Sequence, residues 1–131
     1  MCGIIAIVDI KNDSDTNTKR SHYLELSKKI RHRGPDWNGS YYDLENRIFI
    51  GHERLSIVSP ETGSQPLMSD DESIILSVNG EIYNYKELYK YILHGKYNLN
   101  TKSDCEVIIP LYKEYGEQCV KMLDGIFSFV L

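Results

Sequence analysis

Cysteine at position 2 leads straight into Ile4-Ile5-Ala6-Ile7-Val8. An apolar, β-branched run of this kind reads as a buried strand, here Ile4 to Ile10. The fold therefore starts on an inner strand, with Cys2 at its head. If Met1 is removed, Cys2 carries a thiol and a free α-amino group on one residue, a nucleophile with its own base. The thiolate is the reactive form, and a free thiol titrates near ~8.5. An α-amino group titrates near ~7.7–8.0, so about a tenth to a fifth of it is unprotonated at pH 7. It can take the thiol proton directly or through a water without recruiting a histidine. Position alone also fits a small residue tolerated beside the initiator methionine, so the rest of the chain must decide.

The pattern beyond the first strand mixes helices and strands. Lys11 to Thr18 reads as a polar loop. Lys19 to His32 reads as a helix with Tyr23, Leu26 and Ile30 on one face and Gly34-Pro35 stopping it. Ser40 to Asp43 and Arg47 to His52 form a hairpin turning at Leu44-Glu45-Asn46. Ser59 to Asp71 is a loop. Ile74 to Val78 is a strand ending in Asn79-Gly80, a dipeptide that favours a tight turn. Tyr85 to His94 reads as a helix capped by Asn84. Ser103-Asp104-Cys105-Glu106 is a capping box for a helix whose stripe is Val107, Ile108, Leu111, Tyr112 and Tyr115, ended by Gly116. Glu117 to Leu123 is a short helix, and Ile126 to Leu131 is a strand. An apolar strand with no turn or polar residue after it makes a poor natural ending. The expectation is a domain that continues beyond Leu131.

Composition removes several function classes. The 131 residues suit one domain, and a 41% hydrophobic content excludes a disordered chain. Net charge is -4 without a basic stripe, so a nucleic-acid partner is not expected. No stretch reaches the ~18 apolar residues of a membrane span. The first apolar run lacks the basic leader of a signal peptide. Three cysteines, an odd number, argue against a disulfide framework and for a reducing, cytoplasmic compartment. Cys105 and Cys119 fall in helical segments and read as ordinary buried thiols. His52-Glu53 opens like a metalloprotease motif, but Ser56 stands where the second histidine belongs, and no metal is assigned.

Three groups carry chemistry only in combination with Cys2, and a fourth motif stands apart from them. Arg54 is followed at once by apolar residues, and a guanidinium near the interior needs an anion, either a substrate carboxylate or an internal Asp or Glu. The Asn79 amide and the Gly80 N–H can converge on one point beyond a strand end as an oxyanion hole, or form an ordinary turn. Asp104 either complements the helix dipole or binds a substrate ammonium group. Arg31-His32-Arg33-Gly34-Pro35-Asp36 reads as a helix end with basic residues suited to the dipole, followed by a turn.

Cys2-Gly3-Ile4, Arg31 to Asp36, His52 to Val58, Gln65-Pro66-Leu67, Asn79 to Asn84, Ser103 to Ile108 and Leu123 to Phe127, in that order, cover essentially the whole chain. Together they resemble the N-terminal glutaminase domain of asparagine synthetases, a class II glutamine amidotransferase family. Trp37 after Asp36 favours that branch, or close homologues that amidate another carboxylate, over relatives with a serine there. The resemblance implies an α+β fold, a four-layer αββα sandwich of the N-terminal-nucleophile hydrolase type, spanning 1–131 and incomplete at its C-terminal end. It implies Cys2 as nucleophile with its α-amino group as base, and Asn79 and Gly80 as oxyanion hole. Arg54 would bind the α-carboxylate of L-glutamine, Leu55, Ser56, Ile57 and Val58 would line the pocket, and Glu81 and Asp104 would contact the α-amino group. Glutamine would be split to glutamate and ammonia through a γ-glutamyl thioester. The ammonia would pass to a synthetase domain, absent here, that makes asparagine from aspartate. This domain needs no cofactor; ATP and Mg belong to that synthetase domain.

Other readings stay open: an amidotransferase domain with another acceptor, a non-catalytic regulatory or interaction domain of the same fold, or a redox thiol protein, against which the lack of Cys-x-x-Cys counts. A homodimer also stays open.

Overall fold

The computed structural model describes residues 2–8, 16–55 and 64–131. In chain order they form β1 (Gly3–Ile7), α1 (Thr16–Lys28), β2 (Trp37–Asp43), β3 (Ile48–Arg54), β4 (Leu67–Met68), β5 (Ile75–Ile82), α2 (Tyr85–Glu87), α3 (Ile108–Tyr115) and β6 (Gly125–Val130). Tight 3₁₀ turns occupy Arg31–Arg33, Asp104–Val107 and Gly116–Met122, and a wider helical turn, Leu88–Ile92, continues α2. No helix among the described residues is long and apolar enough to cross a membrane.

Two antiparallel three-stranded sheets, ordered β1-β3-β2 and β4-β5-β6, form the mixed architecture. In the first, Gly3 faces Glu53 and Trp37 faces Arg54. In the second, Leu67 faces Leu76 and Ile82 faces Gly125. Side chains alternate between sheet faces. On β3, Phe49, Gly51 and Glu53 turn toward α1: the Phe49 ring lies 5.4 Å from Tyr23, and the Ser27 hydroxyl donates to Glu53 Oε1 at 2.9 Å. Ile50, His52 and Arg54 take the other face, where His52 Nδ1 and Ser77 Oγ of β5 share a hydrogen bond of 2.9 Å. That contact joins the sheets. On β5, Ser77 and Asn79 turn toward the first sheet. Leu76, Val78 and Ile82 turn away into a core with Leu88, Val107, Ile108, Leu111 and Cys119. Each fully buried aliphatic side chain there contributes roughly 1.5–3 kcal/mol relative to exposure.

Several local expectations change. The first strand stops at Ile7, with 9–10 outside the described residues. It is an edge strand rather than a buried one, so Ile4, Ile5 and Ile7 are half-buried and Val8 is exposed. The helix placed over Lys19 to His32 starts at Thr16, inside the expected polar loop, and ends at Lys28, because Lys29 and Ile30 tighten onto the carbonyls of Leu26 and Ser27. The expected hairpin is present with longer strands. Asp43 holds its turn by accepting from the Asn46 N–H at 3.0 Å, and Arg47 takes φ 57. The loop Ser59 to Asp71 lies outside the described residues up to 63 and then contains β4, whose Leu67 is buried in the core.

The turn expected at Asn79-Gly80 does not exist. β5 runs through it, pairing Asn79 with Ser128 and Gly80 with Phe127. Glycine is required for closeness here: a Cβ on Gly80 would lie 2.2 Å from the Ile126 carbonyl oxygen. Asn84 does not cap α2. Its amide donates to the Met122 carbonyl at 2.9 Å and accepts from the Asp124 N–H at 3.0 Å, tying α2 to the approach to β6. The capping box is not formed either. Ser103 makes no side-chain cap, and the Glu106 carboxylate turns back to accept the N–H groups of Asn100 and Thr101 at 2.6 and 2.7 Å. The Gly116 stop holds, at φ 56. The segment expected as a helix over Glu117 to Leu123 winds as the tighter 3₁₀ turn, and the last strand appears as β6.

Candidate active site

Period-two alternation sets Cys2 on the face of the first sheet that looks toward β5. Continued one step, the β1–β3 register places it across from Arg54. Three segments hold its polar groups. The Cys2 N–H donates to Asn79 Oδ1 at 2.8 Å. The Leu55 N–H points at Cys2 Sγ, 3.4 Å away, just past the end of β3. Arg33 Nε donates to the Cys2 carbonyl at 3.1 Å. The thiol is thus aimed by backbone and side-chain contacts from β3, β5 and the turn after α1.

The open edge of β5 supplies the facing wall. In an antiparallel strand, N–H and C=O of alternate residues point to the same edge. Leu76 points toward β4, so Val78, Gly80 and Ile82 point the same way, beyond the end of β4. Val78 is closed there by the Gln65 side chain: Nε2 donates to the Val78 carbonyl at 2.9 Å, and Oε1 accepts its N–H at 2.8 Å. The Ile82 N–H donates to Asp104 Oδ2 at 2.6 Å. Between them the Gly80 carbonyl accepts from the Cys105 thiol at 3.5 Å, while no described residue takes the Gly80 N–H. Asn79 likewise uses Oδ1 on Cys2 and keeps its Nδ2 donor unengaged among the described residues. The Cys2 thiol therefore sits beside a β-edge that presents spare hydrogen-bond donors.

The electrostatics separate the thiols. Burial pushes the Cys105 thiol up to about 12, with Asp104 adding to the effect and Glu81 and Cys2 close enough to contribute. Burial raises the Cys119 thiol too. Both are buried, whereas Cys2 is half-buried. His52, fully enclosed between the sheets, is lowered to about 4, first by burial and then by the neighbouring Arg54 charge. It stays neutral at pH 7.

Of the residues singled out from sequence, Cys2, Leu55, Asn79, Gly80 and Asp104 come together around this edge. Arg54 ends β3 half-buried, and Glu81 follows Gly80 on β5, exposed and opposite Ile126. Ser56, Ile57 and Val58 lie outside the described residues. Arg33, Gln65 and Cys105 also touch the site, and sequence reasoning gave them other parts. Arg31 and Arg33 do not serve a helix dipole: Arg31 Nε pairs with the buried Glu53 carboxylate at 3.0 Å, and Arg33 reaches Cys2. Gly34 was the available signal. A Cβ there would lie 2.2 Å from the Glu53 carbonyl oxygen, so the motif must pack on β3.

The family model described as a glutamine amidotransferase domain matches residues 1–131. The chain is 52% identical over 131 residues to a glutamine-hydrolysing asparagine synthetase of Brassica oleracea, covering all of this chain and 21% of that protein. It is 51% identical to asparagine synthetase 1 of Arabidopsis thaliana, again covering 21% of it, and 50% identical to the enzyme of Sandersonia aurantiaca, covering 24%. The chain thus spans about a fifth of the length of the curated relatives it matches. With a match along its whole length, the chain belongs to the glutamine amidotransferase domain family.

Proposed function

We propose that the chain is the glutaminase domain of a glutamine-hydrolysing asparagine synthetase. It acts on L-glutamine and supplies ammonia to a synthetase portion of the same longer protein. The observation that carries this is the placement of Cys2: its nitrogen lies on Asn79 Oδ1 at 2.8 Å and its sulfur against the Leu55 N–H at 3.4 Å. In this reading Met1 is removed, and the freed α-amine takes the thiol proton. Sγ attacks the side-chain amide carbon of glutamine. The developing oxyanion is met by Asn79 Nδ2 and the Gly80 N–H, each worth roughly 3–4 kcal/mol in such a role. The tetrahedral adduct collapses, the proton passes to the leaving nitrogen, and ammonia departs. Water then hydrolyses the γ-glutamyl thioester to glutamate and restores the thiol.

Arg54 is assigned to the α-carboxylate, with Leu55 to Val58 lining the pocket. Glu81 and Asp104 are assigned to the α-amino group. Asp104 already accepts the Ile82 N–H with Oδ2, so Oδ1 is the atom proposed for the ammonium. The arrangement of α1 on the first sheet, the sheets meeting at His52 and Ser77, and the apolar core between β5 and α3 support the four-layer αββα sandwich. The odd cysteine count supports a cytosolic setting.

The test is intact mass of the full-length protein before and after a glutamine-analogue electrophile, with glutamate release measured in parallel. Loss of Met1, one adduct on Cys2 and steady glutamate formation are expected. Retained Met1 with no adduct and no glutamate would overturn the reading.

A further inference from the structure

We propose that Gln65 is a positioning residue for this hydrolysis: its side-chain amide replaces a strand at the β5 edge and holds the Gly80 N–H open beside Cys2. The inference rests on the glutaminase reading. Leu67 faces Leu76 and Met68 faces Ile75; continued, that register sets Gln65 against Val78. The main chain of Gln65 does not make that pairing. It lies instead on β2, where a Cβ on Gly39 would come within 2.0 Å of the Gln65 carbonyl oxygen. The side chain reaches across to Val78, donating at 2.9 Å and accepting at 2.8 Å.

A primary amide offers one donor and one acceptor side by side, like a peptide unit. It therefore completes the ladder for one residue and ends it. The next residue on that edge, Gly80, is left without a strand partner among the described residues, and Asp104 closes the edge again at Ile82. Gln65 thus anchors β5 to β2 one residue before Asn79 and two before Gly80. Val78 is 2% exposed, so its peptide groups have no water to fall back on. When Gln65 is lost, the Asn79–Gly80 donors shift, and misplacement of about 1 Å costs up to ~10²-fold in rate.

The experiment uses the full-length protein with Gln65→Leu and Gln65→Glu. Three quantities are read: kcat and KM for glutamine hydrolysis, the rate of Cys2 alkylation by iodoacetamide, and the melting temperature. Alkylation uses the same sulfur but forms no oxyanion. Gln65→Leu is expected to lower kcat roughly 10–10²-fold with little change in KM, and to leave alkylation within about twofold. Gln65→Glu keeps an acceptor for the Val78 N–H and is expected to fall between. Unchanged kcat in both variants overturns the proposal. So does a fall in alkylation equal to the fall in kcat, or melting of both below the assay temperature, since each marks a purely structural role. A wild-type protein that does not hydrolyse glutamine overturns the glutaminase reading itself, and this proposal with it.

Discussion

Cys2 differs from the other two thiols in exposure and in environment, and that difference is directly testable. With Cys105 pushed up to about 12 and Cys119 raised by burial, substoichiometric alkylation is expected to label Cys2 first. Peptide mapping checks it, and dominant label on Cys105 or Cys119 would count against Cys2 as nucleophile. Asn79→Ala removes both the amide that holds Cys2 and the spare Nδ2 donor. It is expected to lower glutaminase kcat roughly 10²–10³-fold with a smaller change in KM. A lowered melt with kcat nearly intact would sink the oxyanion role. Arg54→Ala is expected to raise KM for glutamine and to spare synthesis from free ammonia, because a carboxylate contact does not change during the reaction. Equal losses with both nitrogen sources would mark Arg54 as structural. Cys2, Asn79 and Asp104 could be singled out from sequence because a thiol, an amide and a carboxylate are residue types able to do such chemistry. Arg33 and Gln65 could not, since their partners, Cys2 and Val78, are set by how distant segments pack.

At the scale of single elements, β5 is the informative case. Asn-Gly favours a turn locally, yet the strand continues because β6 pairs along both residues and Gly80 fits where a side chain would not. Gly80→Ala is expected to push β6 away from β5 and to cost ~1–3 kcal/mol. Gly95→Ala serves as comparison: at φ 64 with open space around it, it meets only the backbone penalty of ~1–2 kcal/mol. A broken β5–β6 pairing should appear as faster amide exchange at Val78 to Glu81 in the Gly80 variant alone. Equal exchange in the two variants would show that the contact with Ile126 does not set the pairing. Ser103 and Asn84 teach the same lesson on helices. Both occupy cap positions by spacing and neither side chain caps: the Asn84 amide is taken by Met122 and Asp124, and the Glu106 carboxylate that would close a capping box is taken by the Asn100 and Thr101 N–H groups.

At the scale of the whole molecule, the sheets are joined through a buried polar pair, His52 and Ser77. A histidine lowered from 6.5 to about 4 stays neutral in the folded state while the unfolded chain takes up a proton. The unfolded state then binds more protons, so stability falls as pH drops through that window and levels off below it. The effect is on the order of 3 kcal/mol across the window. The carboxylates of Glu25, Asp43 and Glu114 are held low by Lys28, Asn46 and Lys96, so their contributions are lost only as pH falls below about their ordinary 3.8–4.5. Melting temperature is therefore expected to fall between pH 6.5 and 5 in the wild type and to stay flatter in His52→Gln. Parallel curves would place the pH sensitivity elsewhere.

Strand and helix order is legible in the residues at its clearest points: the Ile4 run, the hairpin closing at Asn46, the stripe of α3 with its Gly116 stop, and the last apolar strand. These follow from periodicity and from residues whose backbone preferences are local. The sequence also singled out Cys2 and the residues that carry the family likeness. Long-range packing, not local pattern, sets Asn79 and Gly80 within a strand, Arg33 on the Cys2 carbonyl, and the Gln65 side chain on Val78. Each of those depends on hydrogen-bond partners brought together from distant parts of the chain, and no local pattern encodes which distant group will satisfy a given N–H.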